Sequence, residues 1–468
     1  DRCYRNRVTY QYYLNSGSGG VDFVGLDGNS EYPNPWVRST CGLSAMPANG
    51  MIYNGPFVCQ CAIGSMLTGF NGLYNETSGR FKISHTPRLV KGPAFTRPLG
   101  EAAADFDWPT YRQSGARSGI GKASLPAKLA TKWQVNVGPN PTAPVAVGEH
   151  IFVAARDRHT LYCLEKKTGE TAWKFTAGGP IDSPPTYYKG LLLTGCRDGW
   201  VYCLDASDGS LRWRFNALPV QSLIVDRGQL ESAWPVNGSV LVEQGIAYFA
   251  AGRSSYLDGG VSVFGLNPET GEMIHNKVVA GPYEEDNENF PTRGERTFRL
   301  GGFKSGIFSV SDGKLFLRQQ AFQPDLTPVS MDKITEPHLI PSHGFLDSVP
   351  QHRTYWTVDI DLCYGGPTAI TGYGPLGDTT AFADGEFFEV RGYSPGRNLP
   401  KRGADLTPFN THSVFAGKLT AAKKGDVWIS RKGKTIPEVG TWEKNWSVST
   451  PFAGHAISVC ENAVVVAG

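Results

Sequence analysis

Short apolar runs recur along the chain, each flanked by turn-forming residues. Ile151-Phe152-Val153, Leu191-Leu192-Leu193 and Ala463-Val464-Val465-Val466 are examples. No stretch keeps a helical period beyond about three turns, whereas brief strand-like segments appear throughout. Glycine (56 residues) and proline (32) supply the many turns such segments need. The pattern predicts an all-β fold. Both ends of the chain read as strands, so they are expected either to pair and close a ring or to border a longer chain.

Self-similarity sharpens this. Leu161-Tyr162-Cys163-Leu164-Glu165-Lys166-Lys167-Thr168-Gly169-Glu170-Thr171-Ala172-Trp173 repeats as Val201-Tyr202-Cys203-Leu204-Asp205-Ala206-Ser207-Asp208-Gly209-Ser210-Leu211-Arg212-Trp213, at an offset of 40 residues. Trp133, Trp173 and Trp213 share that spacing. A degraded copy, Gly265-Leu266-Asn267-Pro268-Glu269-Thr270-Gly271, carries His275 where tryptophan would stand and follows an insertion around Pro219–Glu231. Fainter copies start at Val24 and Gly69, and later strand pairs lie around Gly306–Leu317, Ala381–Arg391 and Ser447–Val466. A period of about 40 residues with several short strands is the mark of a β-propeller. One four-stranded unit cannot bury both faces, but neighbours stacked around an axis can. Glycine closes each tight turn, and the following tryptophan is placed to lie across the next blade.

Roughly six to eight blades are expected, some incomplete within this chain. Residues 1–80 read as N-terminal blades. Residues 81–130, rich in Pro, Gly and Arg, read as a crossover linker. Residues 131–468 hold the remaining blades, with an irregular loop at 319–360.

Composition narrows the function. The 45 basic and 43 acidic residues leave a net charge of +2, so no basic footprint for nucleic acid exists. No apolar run is long enough to be a transmembrane segment. Nine cysteines suggest an oxidising compartment and some disulfides. The setting is thus expected to be extracytoplasmic: periplasmic, secreted or cell-surface. Cys59-Gln60-Cys61, with Cys3 and Cys41, could pair as disulfides or bind a soft metal.

The pattern Leu164-Glu165-x-x-Thr168-Gly169-x-x-x-Trp173 resembles the tryptophan-docking motif of the PQQ-like (pyrroloquinoline-quinone-like) propeller superfamily. That superfamily includes quinoprotein alcohol dehydrogenases and the propeller lipoprotein of outer-membrane protein assembly. Other stretches resemble large bacterial extracytoplasmic PQQ-like repeat proteins: Arg2-Cys3-Tyr4-Arg5, Pro47-Ala48-Asn49-Gly50, Ala251–Gly260 and His352-Arg353-Thr354-Tyr355-Trp356. A quinoprotein relationship would imply adjacent paired cysteines, a bound Ca²⁺ and a catalytic aspartate. No Cys-Cys pair occurs, and Glu284-Glu285-Asp286 matches no such site. No cofactor is therefore predicted, and a quinoprotein oxidoreductase is the disfavoured alternative.

Two groups of side chains are candidates for ligand binding. In Arg253-Ser254-Ser255-Tyr256-Leu257-Asp258, a guanidinium fork, a ring and a carboxylate could grip a sugar or an anion. The same residues could instead be a hairpin fixed by an Arg253–Asp258 contact. His338, His343 and His352, with Asp347, could form a metal site or an acid/base pair, or make ordinary hydrogen bonds. The expected function is an extracytoplasmic binding or scaffold propeller that holds a partner protein or a polysaccharide. A polysaccharide-active enzyme with its site in the face loops is the alternative. Strand-like ends also leave a multi-subunit assembly open.

Overall fold

Each 40-residue repeat folds into one antiparallel four-stranded sheet. In this computed structural model the described residues are 5–15, 21–32, 34, 44–55, 70–74, 87–219, 222–226, 228–281, 305–318, 320–330, 333–341, 356–359, 364–365, 369–370, 379–391, 412–420, 425–429, 435–438, 441–452, 454 and 456–468. Blade I comprises Val145–Val147, His150–Ala155, Thr160–Glu165 and Thr171–Thr176. Blade II comprises Thr186–Tyr188, Leu191–Gly195, Trp200–Asp205 and Leu211–Asn216. Blade III, the degraded copy, keeps the same plan in Val236–Glu243, Ile246–Ala251, Val261–Leu266 and Met273–Val279. In all three blades a register shift falls at the same repeat position: Cys163/Leu164, Cys203/Leu204 and Gly265/Leu266.

The tryptophans dock as their spacing predicts. Trp173 of blade I donates its indole N–H to Ala206 O of blade II at 3.1 Å. Trp213 of blade II donates to Pro268 O of blade III at 3.1 Å. Trp133 donates to Lys166 O of blade I at 3.0 Å. Beneath each ring lies the turn glycine: Gly209 (φ +74°), Gly271 (φ +72°) and Gly169 (φ +77°). A Cβ on Gly209 would stand 2.5 Å from Trp173. Glycine is needed there for two reasons, the left-handed backbone and the aromatic face lying on it. Gly228 has φ +76° but nothing within 4 Å of a built Cβ. Gly209→Ala is therefore expected to destabilise the protein by about 2 kcal/mol more than Gly228→Ala. Urea unfolding midpoints of the two variants check this.

The blade seams are the core. Phe215, Phe249 and Phe264 fill the seam between blades II and III, with ring centroids 5.1–6.1 Å apart. Phe308, Leu315, Leu317 and Phe322 pack against blade III from a fourth sheet. That blade IV is built from Phe308–Ser311, Lys314–Leu317, Gln320–Phe322 and Pro328–Val329.

The irregular loop expected at 319–360 needs correction. Its first part completes blade IV, and His338–Pro341 pairs with Trp356–Asp359. Phe322, Ile340 and Trp356 are all buried. The buried runs here are very short and interrupted by proline, which hid them from periodicity. The pair expected at Ser447–Val466 also divides. Thr441–Thr450 joins His412–Thr420, in one sheet with Thr379–Ala383 and Glu386–Arg391. Ala456–Val459 instead pairs with Val464–Ala467.

Two features of the segment expected as a crossover matter for function. Leu89–Lys91 adds a fifth strand to the outer edge of blade II, pairing Leu89 with Phe215, Val90 with Arg214 and Lys91 with Trp213. Residues 107–121 then run across the first strand of sheet after sheet. Trp108 bridges Ala146 of blade I, and Tyr187 N–H of blade II donates to Pro109 O at 2.8 Å. Val310 N–H of blade IV donates to Gly115 O at 3.0 Å. Phe382 N–H donates to Ser118 O, and Val459 N–H to Gly119 O, both at 2.9 Å. First strands line the central channel of a propeller, so this segment occupies the hub.

Candidate functional site

The hub is closed by two arginines. Arg117 is fully buried and donates to Phe308 O (2.9 Å), Thr110 Oγ1 (2.8 Å), Tyr111 O (3.0 Å) and Ser239 O (3.3 Å). Arg112 donates to Arg117 O at 2.7 Å and to Thr380 O, and its guanidinium lies 4.7 Å from the Trp356 ring centre. Burial lowers both guanidinium pKa values to about 10, which leaves them charged at neutral pH. Arg112, Gln113 and Arg117 have φ of 56°, 76° and 57°. That left-handed backbone is costly for side-chain-bearing residues and is held by the surrounding bonds.

This packing bears on the quinone that the superfamily resemblance raised. A flat tricyclic acid needs an open slot on the axis. Among the described residues Arg112 packs in the hub between Arg117 O and the Trp356 ring, and the sequence has no adjacent cysteine pair to line a slot. The residues present do not fit the group.

A second buried cluster anchors the insertion between blades II and III. The insertion is a two-stranded hairpin, Leu223–Asp226 paired with Gln229–Ser232. Arg197 of blade II donates to Asp182 Oδ2 (3.0 Å), Asp226 Oδ2 (3.0 Å) and Glu231 Oε1 (2.9 Å), and its Nε bonds Glu231 Oε2. All four side chains are buried. Burial pushes the Glu231 carboxyl up, against the pull of Arg197, and Asp226 and Asp182 push it further. Burial also opposes the charge on Arg197, but Glu231, Asp182 and Asp226 together hold that guanidinium protonated. Strand alternation puts Asp226 and Glu231 on the inner face of the hairpin. Leu223, Val225 and Leu230 are left on the outer face at 65%, 58% and 60% exposure.

The candidate loop Arg253–Asp258 takes the self-contained form. Arg253 donates to Asp258 Oδ2 at 2.6 and 3.0 Å and to Asn71 Oδ1 at 3.0 Å. Trp234 Nε1 donates to Asp258 O at 2.9 Å. Tyr256 is buried, at 7% exposure. The loop thus ties the N-terminal strand Asn71–Leu73 to blade III.

The histidine group is divided. His343, His352 and Asp347 lie outside the described residues. His338 sits in the buried strand His338–Pro341, stacked on Phe316 with ring centres 3.7 Å apart. Among the described residues its Nε2 is buried without a hydrogen-bond partner, and burial lowers its pKa to about 4. Among the described residues no three His, Cys, Asp or Glu side chains come together as metal ligands.

This geometry predicts a pH effect. The folded pKa of His338 lies below its unfolded value near 6.5, so the unfolded chain binds the extra proton between those values. Stability is full above that window and is lost as pH falls through it, by about 3 kcal/mol at most. His338→Phe is expected to remove this slope and to be neutral or stabilising at pH 7, because a buried unpaired nitrogen is costly. Urea midpoints at pH 7 and pH 5 check both statements.

The expectation of disulfides divides the same way. Cys163, Cys196, Cys203 and Cys460 are free thiols, and the first three are buried. Burial pushes Cys163 up to about 12 and raises Cys196, so neither forms a thiolate readily. They sit in blade cores as small apolar groups. Cys3, Cys41, Cys59, Cys61 and Cys363 lie outside the described residues.

Sequence reasoning missed the hub arginines and the Arg197 cluster. The only available signals were arginines in a stretch without alternation and an insertion that breaks the repeat.

Residues 126–320 match the family model described as "Outer membrane protein assembly factor BamB". No curated protein sequence matches the chain. Among solved structures, a quinohemoprotein alcohol dehydrogenase from Pseudomonas putida is 10% identical, with a TM-score of 0.42, covering 77% of this chain and 69% of that one. The quinohemoprotein alcohol dehydrogenase of Comamonas testosteroni is 12% identical (TM-score 0.41; 76% and 69% covered). BamB from Moraxella catarrhalis is 11% identical (TM-score 0.34; 82% and 92% covered). Likenesses at this level carry no site residue across. What does carry is internal: three repeats with a shared bulge position, docked tryptophans, and a family match over the same residues. The chain is an all-β protein built on PQQ-like β-propeller repeats.

Proposed function

We propose that this propeller is an extracytoplasmic scaffold that holds a protein partner on the Leu223–Ser232 hairpin. One observation carries the reading. The hairpin presents Leu223, Val225 and Leu230 to solvent on one face while Arg197 clamps the other. Three exposed aliphatic side chains on one face of the hairpin offer a surface for a partner to cover. The clamp pre-organises that surface, so little ordering entropy is lost on binding. The assembly-factor match over residues 126–320 supports both the partner class and the extracytoplasmic setting. A polysaccharide partner has less support, because the Tyr256 ring it would stack on is buried.

Photo-crosslinking tests this. A benzophenone amino acid at position 225 or 230, in the native cell, is expected to give adducts with a discrete protein. The same group at Ala172, on the outer strand of blade I, should give none. Adding Leu223→Asp should abolish the adducts. Adducts that survive Leu223→Asp, or equal labelling from Ala172, would overturn the reading.

A further inference from the structure

We infer that the outer edge of blade III, Met273–Val279, accepts an extended segment of a partner protein as an added antiparallel strand. The inference rests on the scaffold reading for the nature of the partner, but on separate residues for the site.

The chain itself shows the mode. On blade II the outer strand Leu211–Asn216 receives Leu89–Lys91. Asn216 N–H donates to Arg88 O at 2.6 Å, Gly92 N–H to Arg212 O at 2.8 Å and Ala94 N–H to Leu211 O at 3.0 Å. Leu89 packs beside Trp213, against the turn glycine of the next blade, where a Cβ on Gly271 would meet both side chains at 2.7 Å. The added strand thus completes a blade edge and covers the seam beyond it.

Among the described residues, the same edge of blade III has no strand paired to it. The shared bulge fixes the alignment, since Leu204 pairs with Leu211 as Leu266 pairs with Met273. Arg212 therefore matches Ile274, and Asn216 matches Val278. By this register the carbonyl of Ile274 and the N–H of Val278 point outward, where a guest strand would meet them.

The side chains are those of a covered edge. Met273, Ile274 and Val278 are 48%, 48% and 52% exposed. Lys277 is the one fixed charge in the strand. Open edges are normally blunted by charge, proline or short length. The outer strand of blade I, Thr-Ala-Trp-Lys-Phe-Thr, leaves no comparable aliphatic set exposed. Main-chain hydrogen bonds would supply the affinity, and alternate apolar side chains over Met273, Ile274 and Val278 the selectivity. The expected guest is a segment with alternating β-branched apolar and small polar residues.

The test uses the full chain and a fluorescein-labelled peptide, Lys-Thr-Val-Thr-Val-Thr-Val-Thr-Lys, followed by anisotropy and amide hydrogen exchange. Binding is expected, with exchange over 273–279 slowed about tenfold, as strand pairing protects amides. Val278→Pro removes an outward donor while leaving the inward ladder bonds, a position where edge strands tolerate proline. It should weaken binding at least about tenfold. Should that variant not fold, the same peptide N-methylated on alternate amides replaces it, and one of the two methylation registers should abolish binding. Absence of binding, protection elsewhere, or equal binding by Val278→Pro and both methylated peptides would overturn the inference. The hairpin cross-links of the scaffold reading are scored in parallel. If they persist while the peptide fails, this inference falls and the scaffold reading stands. If the edge is protected while the hairpin gives no adducts, the hairpin reading falls instead.

Discussion

Arg117→Met is expected to lower the apparent melting temperature by roughly 3 to 5 °C, from a loss of about 3 to 5 kcal/mol. The guanidinium satisfies Phe308 O, Tyr111 O and Ser239 O together with Thr110 Oγ1. Methionine fills similar volume but leaves those acceptors buried without that donor, at about 1 to 3 kcal/mol for each one stranded. The residues that follow Arg117 in the hub, Ser118 and Gly119, bond the sheets containing Phe382 and Val459. Loss of the plug should therefore be felt across the ring. Hydrogen exchange should quicken at 379–383 and 456–459 while the outer strands of blades I and II stay protected. Arg117→Lys is expected to restore little, because an ammonium cannot reproduce the guanidinium fork. If Arg117→Met melts within about 2 °C of the parent, the hub segment is not what ties the blades together.

Arg197→Met should be comparably severe at neutral pH and much milder in acid. One cation faces three buried carboxylates, and removing it strands charge in the core, which costs about 3 to 5 kcal/mol. Glu231 already has a folded pKa raised above its unfolded value. For such an acid the unfolded chain gives up its proton first as pH rises. Its contribution to stability is then fully present below the unfolded pKa, about 4.3, and declines as pH rises toward the folded value. Without Arg197, Glu231 loses the countercharge that opposes its burial and is raised further. The gap between parent and variant is thus expected to widen from pH 4 to pH 7, read as urea midpoints at each pH. A gap that stays constant over that range would show that the carboxylates do not carry the effect. Because Asp226 and Glu231 lie in the hairpin, the same variant should also weaken the cross-links from positions 225 and 230.

What the sequence determined by itself is the part of the fold governed by local, repeating chemistry. The offset of 40 residues, the turn glycines and the tryptophans report short strands, tight turns and a ring packed on the next turn. Each of those contacts recurs at a constant spacing, so repetition made it legible. Even the degraded third copy kept its bulge and its left-handed glycine after His275 replaced the tryptophan. Only the tertiary structure decided the rest, because those contacts join residues far apart and occur once. Arg117 meets Phe308 across 191 residues and Arg112 meets Thr380 across 268, from a segment with no periodicity to announce it. Arg197 gathers its carboxylates from a loop and from both strands of an inserted hairpin. Residue type was also a poor guide to exposure. Tyr256 and His338, chosen for what their side chains could bind, are buried among their own neighbours, whereas the aliphatic Leu223, Val225 and Leu230 face the solvent. Burial is set by what the fold brings to each side of a strand, and a single strand carries no record of its neighbours.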